Sequence, residues 1–393
     1  MRAMDTYQKL PSHGGNQLQR IYWLDVARAV AIISISLNHA VNRAYDNYVD
    51  QQAEFLTSSL YSTLIKTSVS VFSRIGVPLF LMISGALLLK KCIDNESGIR
   101  RFYRHNLGGL IITCEIWFFL MFWFLILYSP EVTLLEELTP GQLIWRMVQT
   151  LFLINQVTFP STWYIAIVIP LYVLIPFLAL IRQHVTGPVL LVPLGFFAVS
   201  YTIIPSINSI LTLQGNPELI DYSPNYYAVF GNIAGYILYV CIGYWISQGG
   251  LKRIPTWLVG VLCCLLFAGT CGVQYYAYAQ PMNYLTSYNF IGIVLCSAVT
   301  FELIRRGSGL IIKLQRPVSY LSRISFGIYF VHIIIMSVLY WNVDISAWSR
   351  VLQLLFLEGV SVGGSILFIA VLSQVRVLRK YMFMIKDEKS LRR

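Results

Sequence analysis

The sequence predicts an all-α integral membrane protein with about ten transmembrane helices. Only 12% of its 393 residues are charged and 56% are hydrophobic, whereas a soluble chain carries about 25% charged residues. The apolar residues collect in runs of about 20, the length of helix that crosses a hydrocarbon core of about 30 Å. Many of the 25 Tyr and 9 Trp lie near the ends of these runs, where aromatic belts form at membrane interfaces. The predicted spans are 22–42, 69–89, 107–128, 161–181, 188–206, 226–247, 255–278, 284–304, 324–341 and 350–375.

The distribution of basic residues predicts that both termini are cytoplasmic, because Lys and Arg accumulate in cytoplasmic loops. With the N-terminus inside, 23 of the 29 Lys and Arg residues fall on the inner side, and an even number of spans returns the chain to that side. The four on the outer side are Arg43, Lys66, Arg146 and Arg350. The same rule explains the net charge of +11. No nucleic-acid-binding motif accompanies that charge, so we predict no nucleic-acid partner.

One membrane domain, 21–376, is predicted between a cytoplasmic N-terminal tail, 1–20, and a basic cytoplasmic tail, 377–393. The N-terminus lacks a small-residue cleavage signal, so we expect the first helix to be retained. The apolar stretch 143–156 has about 14 residues, which favours a re-entrant or interfacial segment over a span. Six of the seven Cys lie in apolar runs and are typical of small core residues. No cluster of His, Cys and carboxylates has metal-ligand spacing, so no metal is predicted.

The first span carries the most informative polar residues. Charged residues inside a span are costly and usually face the bundle interior or a water-filled cavity. Arg28 and His39 are eleven residues apart, which is about three helical turns, so they lie on one helix face about 16 Å apart along the axis. Asp25 precedes Arg28 by one turn and can pair with it. One face therefore presents a fixed positive charge near the inner side and a base near the outer side.

This Arg-x10-His spacing resembles the signature of the acyltransferase family 3 membrane enzymes, which O-acylate cell-envelope carbohydrates and some small molecules. Three further segments are similar to family motifs and follow in the family's order: Val77-Pro-Leu-Phe-Leu-Met-Ile-Ser84-Gly85, Trp163-Tyr164 leading to Pro170, Tyr172 and Pro176, and Ser325-Phe-Gly-Ile-Tyr329-Phe-Val-His332. The resemblance runs from about 20 to 375. Many family members carry a C-terminal hydrolase-like domain, whereas this chain ends in a short basic tail and resembles the stand-alone form.

The resemblance implies transfer of an acyl group, with acetyl expected, from cytoplasmic acetyl-CoA or another acyl-CoA to a hydroxyl of an envelope carbohydrate or glycolipid. The expected location is the cell inner or plasma membrane. His39 would act as a general base toward the acceptor hydroxyl or would itself be acylated first, and the sequence leaves both routes open. Arg28 would contact the donor, or it would be structural and neutralised by Asp25. The acceptor and the oligomeric state are not determined by the sequence.

The other candidate residues each have a structural alternative. Arg100, Arg101 and Arg104 suit CoA phosphates, but the positive-inside rule also predicts them. Arg74 opens the Ser-Gly segment as a further candidate. Ser84 is placed more naturally in close helix packing than in catalysis. Trp163 and Tyr164 fit either a wall that binds a sugar or the arm of the acyl donor, or an interface belt. His332 fits either support of the site or a hydrogen-bonded core position, and Glu115 fits either a functional carboxylate or a partner for a neighbouring Arg.

Two other functions are compatible with a multi-span chain. A transporter or flippase of a glycan or lipid precursor would need polar residues along several spans, and here they concentrate on one helix face. A receptor or sensor would need a signalling domain or a long ligand-binding loop. The sequence therefore favours the enzyme.

Overall fold

The computed structural model describes residues 7–9, 18–45, 50–91, 93, 95–130, 137–154, 159, 162–185, 187–218 and 233–385. Within these ranges the chain is almost entirely helical. Eight helical stretches are long and apolar enough to cross a membrane: Tyr22–Ala44, Leu60–Leu88, Glu96–Tyr128, Trp163–His184, Gly187–Leu213, Thr256–Tyr278, Ile291–Asn342 and Arg350–Leu372. This confirms the predicted class, a polytopic α-helical membrane protein.

The helices are labelled in chain order over the described residues: α1 Tyr22–Ala44, α2 Gln51–Thr57, α3 Leu60–Ser73, α4 Gly76–Leu88, α5 Glu96–Phe102, α6 Gly108–Tyr128, α7 Pro140–Leu151, α8 Trp163–His184, α9 Gly187–Ala198, α10 Ile204–Leu213, α11 Ile233–Ser247, α12 Thr256–Tyr278, α13 Ile291–Gly307, α14 Gln315–Asn342, α15 Arg350–Leu372 and α16 Arg376–Tyr381. Two short antiparallel strands precede them, β1 Tyr7–Lys9 and β2 Leu18–Arg20. Short π-helical turns lead into α6 and α10, and a 3-10 turn joins α13 to α14.

The predicted spans correspond to described helices with some differences in their limits. The stretch 291–342 contains two predicted spans, 284–304 and 324–341, because the 3-10 turn joins them without a loop. The predicted span 226–247 begins outside the described residues, and α11 is its described part. The total of ten spans, the domain limits and the cytoplasmic placement of both termini remain predictions.

Two segments differ from the predicted limits. The second span begins at Leu60 rather than at 69, and it is divided at Arg74 and Ile75 into α3 and α4. The stretch predicted at 143–156 forms α7, a helix of 12 residues that starts with a Thr139–Gln142 capping box. A helix of this length extends about 18 Å, too short to cross a bilayer. Residues 155–158 lie outside the described part of the chain.

Helix α1 lies at the centre of the bundle and packs against α3, α4, α13, α14 and α15. Most of its residues are buried, including the charged Asp25 and Arg28. It approaches α4 closely at Gly76, where an added Cβ would lie 2.7 Å from the Ala31 carbonyl oxygen. The absence of a side chain at Gly76 thus lets α4 pack directly against the helix that carries the predicted site.

Helices α4 and α11 also pack backbone to backbone. A Cβ at Gly85 would lie 1.8 Å from the Val240 carbonyl oxygen, and one at Gly243 would lie 2.2 Å from the Met82 carbonyl oxygen. Small residues allow this close approach in membranes, where van der Waals packing drives helix association. Gly85 therefore contributes an α4–α11 contact, while the packing role of Ser84 stays a prediction.

Candidate active site

Two polar centres lie along the pair of helices α1 and α14. Arg28 and His39 of α1 contact Ser322 and His332 of α14 respectively. Sequence number increases in the same direction on both helices, so α1 and α14 run parallel. We call the end of the helix pair that contains Arg28 and Ser322 the Arg28 end. The end that contains His39 and His332 is the His39 end. The contacts show that Arg28 and His39 both face α14, as the helical spacing predicts.

The Arg28 end contains a buried network formed by Asp25, Arg28, Ser319 and Ser322. The Arg28 guanidinium donates from Nη1 to Ser322 Oγ at 3.2 Å. Ser322 donates to Asp25 Oδ1 at 2.7 Å, and Ser319 donates to Asp25 Oδ2 at 2.9 Å. Asp25 is fully buried, and Arg28 is only 4% exposed. This network holds the positive charge of Arg28 in one place in an environment where an isolated charge would be costly.

Two further groups lie near Arg28 from other helices. The Tyr172 side chain on α8 is buried and lies within interaction distance of Arg28 and Ser84. Ser84 on α4 also donates to the carbonyl oxygen of Phe80 at 2.9 Å. Three segments of the resemblance, on α1, α4 and α8, thus meet at the Arg28 end. Tyr172 belongs to one of those motifs, but no role was predicted for it.

At the His39 end, His39 and His332 form a pair of imidazole rings. Their ring centroids are 5.4 Å apart and their planes are inclined by 40°. His332 is fully buried, and its Nδ1 lies 2.7 Å from the Ile328 carbonyl oxygen. A carbonyl can only accept, so Nδ1 carries a proton and Nε2 of the neutral ring is an acceptor. Within the described part of the chain, this buried Nε2 has no hydrogen-bond partner.

Arg74 lies close to the histidine pair. Its guanidinium carbon is 5.4 Å from the centroid of the Tyr288 ring, and its charge acts on His39. Arg74 occupies the break between α3 and α4, so a short interruption of the span places a cation at the His39 end, over the Tyr288 ring. This position suits stabilisation of negative charge that develops near His39.

An aromatic wall surrounds this end, formed by Trp163, Tyr164, Tyr236, Tyr288 and Tyr329. The Trp163 ring lies 5.1 Å from Tyr288, and Tyr164 lies 5.9 Å from Tyr329. Tyr329 in turn lies 6.4 Å from His332. Tyr164, Tyr236 and Tyr329 are buried. These contacts bring the two predicted aromatic residues into the cluster beside the histidine pair. Tyr288 follows α12 in a loop, where no sequence signal marks it.

A carboxylate that the sequence analysis did not select lies near the same helix. Glu358 on α15 accepts a hydrogen bond from Ser36 of α1 through Oε2 at 2.8 Å. Its Oε1 is buried and has no hydrogen-bond partner among the described residues. An acidic residue within an apolar span is a functional candidate. Glu358 is the single carboxylate inside the predicted span 350–375, and that sequence signal would have identified it.

Three of the predicted donor-binding residues line a separate pocket at the Arg28 end. Arg100, Arg101 and Arg104 border a cavity of about 670 Å³ together with Asn95, Glu96, Ser97 and His105. This pocket follows α4, which runs from Gly76 beside Ala31 toward the Arg28 end. Arg100 forms an exposed ion pair with Glu96 at 2.6 Å, so its charge is shared with a carboxylate of the same helix. Arg101 and Arg104 are exposed at the pocket.

Glu115 lies apart from both centres. It is partly buried on α6 and has no hydrogen bond or ion pair with any residue that the structure describes. The structure therefore does not join it to Arg28 or His39. Metal ligation also finds no support within the described ranges, where no group of three His, Cys, Asp or Glu side chains could hold an ion.

The fold and these two centres define a polytopic membrane protein with a pair of histidines between two of its helices, α1 and α14. Comparison with known families supplies the class of reaction. The model of acyltransferase family 3, described as an acyltransferase domain, matches residues 21–372. The chain belongs to this family and is a membrane acyltransferase. No curated protein and no solved structure matches it.

Proposed function

We propose that this acyltransferase moves an acetyl group from acetyl-CoA, bound at the Arg28 end, to a hydroxyl of an envelope carbohydrate or glycolipid at the His39 end. The observation that supports this most directly is the placement of two different centres on one pair of helices. Arg28 is held by Ser322 and Asp25 at one end, and His39 contacts His332 at the other. The eleven-residue spacing corresponds to about 16 Å along α1.

The donor is proposed to enter from the cytoplasm at the Arg28 end. CoA is rich in phosphate, and guanidinium groups bind phosphate through paired, charge-assisted hydrogen bonds. Arg101 and Arg104 supply such groups at the pocket after α4. The acyl thioester sits at the end of a long flexible arm, whose polar groups would pass Arg28 before the thioester reaches His39. This assignment places the membrane domain in the cell inner or plasma membrane with both termini cytoplasmic.

The transfer step needs a base and a group that stabilises the oxyanion. In the direct route, neutral His39 takes the proton of the acceptor hydroxyl as its oxygen attacks the thioester carbonyl carbon. Negative charge develops on the carbonyl oxygen, and Arg74 is the proposed group that stabilises it, because its charge lies near enough to interact with His39. The C–S bond then breaks, and the imidazolium returns the proton to the CoA thiolate. In the relay route, His39 attacks the thioester carbonyl carbon first, the C–S bond breaks, and CoA leaves with the imidazole proton. The acceptor oxygen then attacks the acetyl-imidazole, the C–N bond breaks, and the acceptor proton returns to His39.

The pocket of Arg101 and Arg104 gives a direct test of the donor. We expect the double variant Arg101→Ala/Arg104→Ala to raise KM for acetyl-CoA by about tenfold or more, because each lost charge-assisted hydrogen bond weakens binding by about 1.5–3 kcal/mol. The kcat should change little, since these residues lie far from the thioester. The measurement is CoA release from acetyl-CoA by the purified protein in liposomes, with donor added to one side.

Arg253→Ala is the matched control, because Arg253 is equally exposed but lies in the segment between α11 and α12. An equal KM for the double variant and the control would remove the phosphate-binding role. If the wild type neither binds nor hydrolyses acetyl-CoA, this donor is wrong.

The Arg28→Lys variant tests the second donor contact. Lysine keeps the positive charge but lacks the planar guanidinium group that donates to Ser322. We expect the affinity for acetyl-CoA to fall about tenfold while the protein remains folded. Equilibrium binding of acetyl-CoA and thermal unfolding should be compared with Arg182→Lys, a change at a partly buried arginine on α8 that contacts Tyr244. Equal affinity of the wild type and Arg28→Lys would leave Arg28 with a structural role only.

A further inference from the structure

A second cavity lies at the His39 end, where α1, α14 and α15 meet. It measures about 820 Å³, within the range of pockets that hold small ligands. Its wall contains the aromatic residues Tyr340, Trp341 and Trp348 together with Arg43, Asp344 and Gln353. Aromatic and polar residues thus line one space.

This composition suits a sugar ring better than it suits lipid. The C–H face of a pyranose is apolar and packs on an aromatic ring, while its hydroxyls need donors and acceptors in the ring plane. Trp348 is 39% exposed and offers such a surface. Asp344 receives a hydrogen bond from the Ser346 backbone N–H at 3.0 Å, and hydrogen bonds from Ser346 lower the pKa of Asp344. Its carboxylate therefore stays ionised and accepts hydrogen bonds from hydroxyls.

An interface belt is the simpler reason for Trp and Tyr near the ends of spans. Belt residues face the lipid, whereas these rings line a concave space shared with charged groups. Two guanidinium groups also border the cavity, and each is held in position by a contact with another residue of the protein. Arg43 lies 4.5 Å from the Tyr340 ring centroid, and Arg350 donates to the Ala44 carbonyl oxygen at 3.1 Å. Such a wall does not match an acyl chain.

The cavity lies about one helical turn beyond His39. Arg43 lines the cavity and follows His39 by four residues on α1, which is about 6 Å along the helix axis. Leu357 also lines the cavity, and it belongs to one hydrophobic cluster with Ala40 and Val41 of α1. A ligand in this cavity would therefore lie about one helical turn from His39.

We propose that this cavity, lined by Arg43, Tyr340, Trp341, Asp344, Trp348 and Gln353, binds a pyranose residue of the acceptor. That residue would adjoin the sugar whose hydroxyl is acylated at His39. The assignment rests on the proposed function, because it takes the acceptor to be a glycan. The assignment adds a subsite that selects the acceptor. It also identifies Trp348 as the stacking residue that contributes most to binding at this subsite.

Binding can be measured without any acyl donor. The full chain in phosphatidylcholine nanodiscs, free of glycoside detergent, is titrated with tetrasaccharides of glucose, galactose, mannose, rhamnose and N-acetylglucosamine by isothermal calorimetry. We expect at least one to bind with a Kd of about 10 mM or tighter, and Trp348→Ala to weaken that binding about tenfold. Trp257→Ala is the matched control, because Trp257 is 70% exposed at the start of α12 and does not line the cavity.

Asp344→Asn provides a second variant at an exposed position, where folding is not at risk. It should weaken binding of the same sugar, since an amide replaces the ionised acceptor. Absence of binding by all five tetrasaccharides, or equal affinity of both variants and the wild type, would overturn the subsite. His39→Ala should retain the binding. If sugar binds while acetyl-CoA is not consumed, the donor assignment is wrong and the subsite stands.

Discussion

Replacement of His39 by alanine is expected to lower acetyl transfer by a factor of about 10²–10⁴, the contribution of a positioned acid–base group. The donor pocket and the Arg28 network lie on the other side of the bundle, so KM for acetyl-CoA should change little. The physical reason is the position of His39 beside His332 and Arg74. No nearby group repeats that combination in the described part of the chain. The measurement is the initial rate of CoA release by protein in liposomes, with and without acceptor.

The control for this variant is His184→Ala. His184 is an exposed histidine in the last turn of α8 and lines neither cavity, so its loss should leave kcat unchanged. The same preparation distinguishes the two routes. After brief incubation with radiolabelled acetyl-CoA and acid quench, labelled wild-type protein with unlabelled His39→Ala indicates a relay. If the wild-type protein releases CoA without becoming labelled, His39 acts as a general base. A His39→Ala protein that is folded and as active as the wild type would remove His39 from the reaction.

The largest expected effect on stability comes from Gly85→Val. A Cβ at Gly85 would lie 1.8 Å from the Val240 carbonyl oxygen, so the valine forces α4 and α11 apart along their whole contact. Overpacking of a close-packed interior costs about 1–3 kcal/mol, and a clash with backbone belongs at or above the upper end of that range. We therefore expect a loss of about 3 kcal/mol or more. Equilibrium SDS denaturation of the purified protein measures it.

Gly260→Val is the matched control for this substitution. Gly260 lies within α12, and no atom comes within 4 Å of a Cβ built there. Both variants introduce the same side chain into a membrane helix, so their difference isolates the helix contact. Equal denaturation midpoints for the two variants would show that the α4–α11 contact tolerates separation.

The sequence predicted much of the fold because the bilayer imposes simple requirements on length and polarity. It also predicted the alignment of Arg28 with His39, since that depends only on helical spacing. It did not predict the break at Arg74, because no proline stands at that point and the predicted span 69–89 was taken as one continuous helix. Helix α3 ends at Ser73 and α4 begins at Gly76, where α4 packs against Ala31 of α1.

The partners of the site residues were beyond sequence reasoning. Ser322 and His332 reach α1 because α14 lies parallel to it, and a single chain gives no signal of which distant helices become neighbours. Glu358 is different, since its isolated charge within an apolar span was visible. Donor binding by Arg100 stays a prediction, whereas its ion pair with Glu96 was visible in the sequence as a spacing of four residues.

The parallel arrangement of α1 and α14 also affects how the protein is made. Asp25 and Arg28 enter the membrane with the first helix, while Ser319 and Ser322, which hydrogen-bond them, are about 300 residues later in the chain. During most of synthesis the first helix therefore carries two charged residues without these partners, in a setting where intramembrane charge is costly. Domains generally assemble in the order of synthesis, yet this helix reaches its final surroundings only after α14 and α15 have been inserted. Insertion of the first helix is thus a step on which translocation machinery and early neighbours such as α3 and α4 must act.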